Sequence, residues 1–126
     1  MPMTDNLANK IANATLRNQT YTSPANVYAS LYSVAPTVST SGTEIVGNGY
    51  SRQSVTFSAP SAGAVSSSGN VTFSCTGNNW PTVVAFAITD ASTSGNIMFF
   101  QGISPRNINV GDSFQIDSGN LTITIS

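Results

Sequence analysis

The chain has 126 residues, of which four are Lys or Arg, five are Asp or Glu and none is His, for a net charge of −1. So few titratable groups argue against general acid–base and nucleophilic catalysis, which need such groups held close together. Lys10, Arg17, Arg52 and Arg106 are too scattered for phosphate neutralisation, which argues against a nucleic-acid surface.

Charged residues make up 7% of the chain against 40% hydrophobic ones, so neutral hydroxyls and amides must solvate the outside. Weak electrostatic repulsion between copies favours permanent association over solitary life. The length fits one domain, with residues 1–20 as an N-terminal arm and helix and residues 21–126 as a single β domain. Cys75 is alone, so no internal disulfide forms, and folding in a cytoplasm is the simplest expectation. The polar opening Met1–Asn6 and the interrupted stretch that follows predict neither a signal peptide nor a membrane span. On that expectation, the sequons at Asn13, Asn18, Asn70 and Asn120 are accidents of composition.

In chain order, Asp5–Asn18 reads as the one helix, with Thr4 or Asp5 as N-cap and Leu7, Ala8, Ile11, Ala12 and Thr15 on one face. After Pro24 the pattern turns to alternation. Val27–Tyr32 predicts a strand with Val27, Ala29 and Leu31 on one face and Tyr28, Ser30 and Tyr32 on the other. Residues 37–48 read as a long exposed loop after Pro36. Arg52–Ser58 predicts a strand with Val55 and Phe57 inward, and Val71–Cys75 another with Val71, Phe73 and Cys75 inward, separated by a turn-rich stretch from Pro60 to Asn70. With no charge or helix terminus in view to depress its pKa, Cys75 reads as core filler.

The unbroken apolar run Val83–Ile88 suits a strand covered on both faces at the centre of the core. Asp90–Gly95 makes a polar turn, and Ile97–Gln101 returns to complete a hairpin that Ile103 closes. Pro105–Asn109 reads as loop and Gly111-Asp112 as a turn. Ser113–Asp117 and Leu121–Ile125 form an apparent final hairpin, with Leu121, Ile123 and Ile125 sharing one face. Short strands spaced by turns, with one leading helix, predict a mainly β fold: an antiparallel β-sandwich or barrel with one N-terminal α-helix.

Asp90, Asp112 and Asp117 are the acids available for a metal, but their spacing matches no calcium loop and Asp112 after Gly111 suits a turn. The residues thus imply no metal and no cofactor. Tyr21, Tyr28, Tyr32, Tyr50 and Trp80 are candidates to line a sugar-binding groove, with ordinary core packing as the stronger reading.

The segments Leu7–Ile11, Leu16-Arg17-Asn18, Tyr21–Pro24, Val27–Tyr32, Gly42-Thr43-Glu44, Gly49–Gln53, Val55-Thr56-Phe57, Asp90 to Asn96 and Val110–Phe114 fall in an order that spans nearly the whole chain. In that order the chain resembles a family of small tailed-bacteriophage virion proteins, variously labelled head-decoration, minor tail or tail-fibre proteins. The resemblance implies a virion component. Its expected place is the capsid exterior, as a decoration or cement protein that forms a trimer over capsomer junctions and binds the major capsid protein. The alternative is a tail-fibre or minor tail protein, whose partners are tail proteins or a host-surface glycan. The candidate interface residues are Leu7, Ile11, Tyr28, Tyr32, Ile45, Val46 and Tyr50, with the Met1–Asn6 segment and the 37–48 loop as candidate arms.

Overall fold

The computed structural model describes residues 1–125 and is mainly β, with antiparallel sheets and one N-terminal helix. Helix α1 (Asp5–Leu16) is followed by β1 (Val27–Val34), β2 (Thr43–Glu44), β3 (Gln53–Val55), β4 (Ala64–Ser66), β5 (Val71–Ser74), β6 (Val83–Thr89), β7 (Ile97–Arg106), β8 (Ser113–Ile116) and β9 (Thr122–Thr124). The main sheet runs β2-β1-β6-β7, with β3 also paired to β1, and two ribbons, β4-β9 and β5-β8, stand apart from it. Every pairing is antiparallel. Among the described residues the strands trace open paths and close no ring, and the main sheet packs face to face on the ribbons, the sandwich form of the two expected.

The core lies between the main sheet and the ribbons. Leu31, Ile88 and Phe99 from the main sheet meet Val71, Phe73, Phe114 and Ile123 from the ribbons in one buried cluster. Alternation in β5 decides which of its side chains enter: Val71 and Phe73 are buried, Thr72 and Ser74 are exposed, and Cys75 continues the inward face. The Cys75 thiol donates to the Asn78 carbonyl, so it fills space and caps a turn.

Strand β6 is buried along almost its whole length, as its unbroken apolar run requires. Strand β1 is covered on both faces too, which its alternation did not predict: Ala29, Ser30, Leu31 and Tyr32 are all buried. The reason is size complementarity across the sheet. Ser30 lies opposite Ala87 and Tyr32 opposite Ala85. Those two alanines cluster with Tyr32, Val84, Ile97 and Phe100 on the face away from the main core. The Ser30 hydroxyl donates to the Tyr32 hydroxyl at 3.1 Å, so the polar atoms on this face stay paired.

Helix α1 starts where expected. Thr4 is the N-cap, its hydroxyl accepting from the Leu7 amide and donating to the Ile97 carbonyl at 2.6 Å. The helix ends at Leu16, two residues earlier than its pattern suggested, because Asn18 turns left-handed and the Arg17 and Gln19 amides both return to the Asn13 carbonyl. The arm before it is tied to the body: Met3 bridges to Phe99, and the Phe100 amide donates to the Pro2 carbonyl.

Four further expectations are corrected. Residues 37–48 are not one exposed loop, since Thr43–Glu44 pairs with β1 and Ile45 is buried. The turn-rich 60–70 stretch contains β4, which pairs with β9. β7 continues through Pro105 to Arg106, which is allowed because β7 is the last strand of its sheet and an edge position there needs no N–H donor. Finally, β8 and β9 do not form a hairpin with each other. A tight turn links them, but Asn70 accepts from the Ser118 amide and the buried Ser67 hydroxyl accepts from the Gly119 and Leu121 amides, which divert β8 to β5 and β9 to β4.

Candidate functional site

Charge is so sparse that the one ion pair among the described residues stands out. Arg52 and Glu44 meet in a two-pronged contact, with Arg52 Nε on Glu44 Oε2 and Arg52 Nη2 on Oε1, both at 2.8 Å. The remaining guanidinium nitrogen, Nη1, donates to the Ala91 carbonyl at 2.9 Å and to the Ser94 carbonyl at 2.7 Å. The planar fork of Arg suits this double task, and a point-charge Lys would not. Tyr50 joins the group: its hydroxyl donates to Glu44 Oε2 at 2.6 Å and accepts from the Leu31 amide at 3.0 Å.

Each partner arrives from a different element. Glu44 sits on β2 beside Tyr32 of β1, Arg52 leads into β3, and Ala91 and Ser94 belong to the turn between β6 and β7. The Tyr50 ring reaches into the core, stacked on Phe73 at 5.9 Å and edge-on to Trp80 at 5.7 Å. Burial raises the Glu44 carboxyl pKa, but the Arg52 and Tyr50 hydrogen bonds and the Arg52 charge outweigh it and hold the group below the usual carboxylate range. Burial and the hydrogen bond to Glu44 push the Tyr50 phenol far up, so it remains a donor at any physiological pH. Burial likewise raises Tyr32.

This cluster pins one end of the fold. On one side lies a cleft of about 600 Å³, lined by the first turn of α1, the 37–42 loop, Tyr32 and the 94–97 segment. On the other lies a smaller one of about 300 Å³ between Ile45–Tyr50 and Ser92–Ser94. Glu44, Arg52 and Ser94 line both, so these three residues stand between the two clefts. Both walls of the larger cleft depend on a glycine. At Gly42, φ is +62° and a Cβ would stand 2.3 Å from the Val34 carbonyl oxygen; at Gly95, φ is +72° and a Cβ would stand 2.4 Å from the Asp90 carboxylate. That carboxylate accepts from the Asn96 amide at 2.8 Å and closes the turn.

The candidate interface residues are dispersed. Leu7, Tyr32 and Ile45 are buried within the subunit. Ile11 and Tyr50 are half-buried against the main core, and Tyr28 is half-buried on β1. Val46, 78% exposed, is the one that projects freely. The five aromatics of the sugar-groove reading are not brought together at a surface, since Tyr50 and Trp80 pack in the core and Tyr32 on the opposite face of the main sheet. Asp112 accepts from the Asn109 amide and Asp117 from the Gln115 side chain, so each acid has a local partner. Among the described residues no three His, Cys, Asp or Glu side chains converge as metal ligands, and no helix is long and apolar enough to cross a membrane. Sequence reasoning passed over the Glu44–Arg52 pair as a site. The signal was present in an opposite-charge pair eight residues apart in a chain with only seven other charged residues.

The sandwich thus carries, among the described residues, one ion pair, the closed Glu44–Arg52 contact, beside hydroxyl- and amide-rich loops at one end. The chain belongs to the family described as podophage GP4 fiber I protein gp80, whose model matches residues 2–124. It is therefore a phage virion structural protein of fibre-related type. A search of curated proteins found no match.

Proposed function

We propose that the chain is a non-catalytic subunit of the phage's fibre apparatus, joined to copies of itself and to neighbouring tail proteins through neutral surfaces. The observation that carries this reading is the family match over almost the entire chain, whose description names a fibre. That description favours the tail-fibre alternative over the capsid-exterior decoration reading drawn from resemblance. Sparse charge supports association by neutral contacts, and among the described residues exposed Leu16, Val34, Val38, Val46, Val110 and Ile125 are the large apolar side chains available to neighbours.

Gold-conjugated antibody against the native subunit, imaged on intact particles, tests the placement. Label confined to the tail region is the expected result. Uniform label over the head would reverse it in favour of decoration. Because the contacts are neutral, subunits are expected to stay on the particle through moderate salt.

A further inference from the structure

Asn48 is the one asparagine in the sequence that is followed by a glycine, and the fold sets the pair on an exposed turn between β2 and β3. We propose that Asn48 is a self-modification site: its side-chain amide is lost through attack by the Gly49 backbone nitrogen, leaving an acid on a neutral surface. The inference rests on this turn and stands apart from the fibre reading.

The reaction needs an unengaged side-chain amide, an unshielded backbone nitrogen and a means of making that nitrogen acidic. Asn48 and Gly49 hold the two central positions of a tight turn, with φ +54° and +85°, closed by the Tyr50 amide donating to the Gly47 carbonyl at 3.0 Å. Among the described residues neither the Asn48 side chain nor the Gly49 N–H has a hydrogen-bond partner. By contrast, the side-chain carbonyls of Asn13, Asn70, Asn79 and Asn107 each accept a hydrogen bond. Gly49 carries no Cβ to shield its nitrogen. The Asn48 backbone carbonyl accepts from both the Trp80 indole and the Thr76 amide at 2.9 Å, which draws electron density out of the 48–49 peptide and makes the Gly49 N–H a stronger acid. The same bonds restrain the turn, so ring closure waits on local opening and the change is slow.

Solvent base removes the Gly49 amide proton, the nitrogen bonds to Asn48 Cγ, and the Cγ–Nδ2 bond breaks as ammonia leaves with a proton returned from water. Water then adds across one of the two ring C–N bonds of the cyclic imide, giving aspartate at this position, or across the other, giving isoaspartate. Nothing is oxidised or reduced. Either product adds one negative charge to a chain whose net charge is −1. Isoaspartate also lengthens the backbone by a methylene and turns the carbonyl that holds Trp80 and Thr76 into part of a free carboxylate. Trp80 is the only tryptophan, so its fluorescence reports that displacement.

The test is incubation of the full folded chain in warm, mildly alkaline buffer, with every asparagine followed by peptide mapping and mass spectrometry. Asn48 is expected to convert at least about tenfold faster than any other asparagine, to yield isoaspartate together with aspartate, and to react faster as pH rises. A more acidic species should grow in step on isoelectric focusing. Asn48→Gly, which suits a positive φ and keeps the carbonyl for Trp80, should abolish that species while leaving the starting Trp80 fluorescence unchanged. Conversion of Asn48 no faster than that of the other asparagines, aspartate without isoaspartate, or an acidic species that persists in Asn48→Gly would each overturn the proposal. The map of the unaltered chain decides the first two outcomes even where the variant fails to fold.

Discussion

The centre of the sandwich and its loop end are held by different physics. In the centre, Leu31, Phe73, Ile88 and their neighbours are removed from water on both sides, and stability comes from burial shared among many side chains. At the loop end a handful of hydrogen bonds around Glu44, Tyr50 and Arg52 hold the three segments that border the clefts. Tyr50 is the joint, its ring in one region and its hydroxyl in the other. A rigid body can thus carry a separately adjustable surface, and damage to the end need not unfold the centre.

Removing core volume should produce the largest effect. Phe73→Ala deletes a ring that stacks on Tyr50 and meets Phe114 edge-on, and a loss of about 4 kcal/mol of global stability is expected, read from the urea unfolding midpoint. Gly42→Ala comes next. Its new Cβ would collide with the β1 backbone in a left-handed conformation, at a cost of about 2–3 kcal/mol, seen as a lowered Tm.

Arg52→Ala should cost about 2 kcal/mol, and the distribution of its effect matters more than its size. Hydrogen exchange is expected to rise at Ala91–Asn96 and Thr43–Glu44 while β6 stays protected; acceleration spread evenly over both regions would erase the distinction between them. Acid gives a gentler version. Glu44 has its pKa lowered in the folded state, so its contribution is present above the ordinary carboxylate value of about 4.3 and is lost as pH falls through the lower folded value. Glu44→Gln should flatten this part of a stability-versus-pH curve. The smallest change is expected for Val46→Ser: within about 0.5 kcal/mol in the isolated subunit, with weakened self-association if Val46 contacts a neighbour, as sedimentation would report.

Local pattern was enough wherever one physical rule governed a segment. Thr4 or Asp5 followed by an apolar stripe marked the helix start, the alternation of Val71–Cys75 fixed its inward face, and the unbroken run in Val83–Ile88 announced a doubly covered strand. Pattern failed where partners far along the chain supplied the missing half of an interaction. Nothing near β4 shows that Ala64–Ser66 pairs with Thr122–Thr124, and three residues are too few to display a period. Tyr32 read only as lying on the face opposite Leu31 and as a candidate interface residue, because its covering partners, Ala85 and Phe100, lie more than fifty residues away. The loop-end site stayed hidden for the same reason, since its lining comes from the helix start, the 37–42 loop and the β6–β7 turn.

The sequence by itself determined the class of fold, the identity of the central strand, the scarcity of acid–base chemistry and, through the order of its segments, kinship with phage virion proteins. Tertiary structure alone decided which ribbons form, which side of β1 is covered, and that Glu44 and Arg52 lock three segments around two clefts. The reason is range: periodicity and turn chemistry act over a few neighbouring residues, whereas register, coverage and cleft shape depend on contacts between residues that only folding brings together.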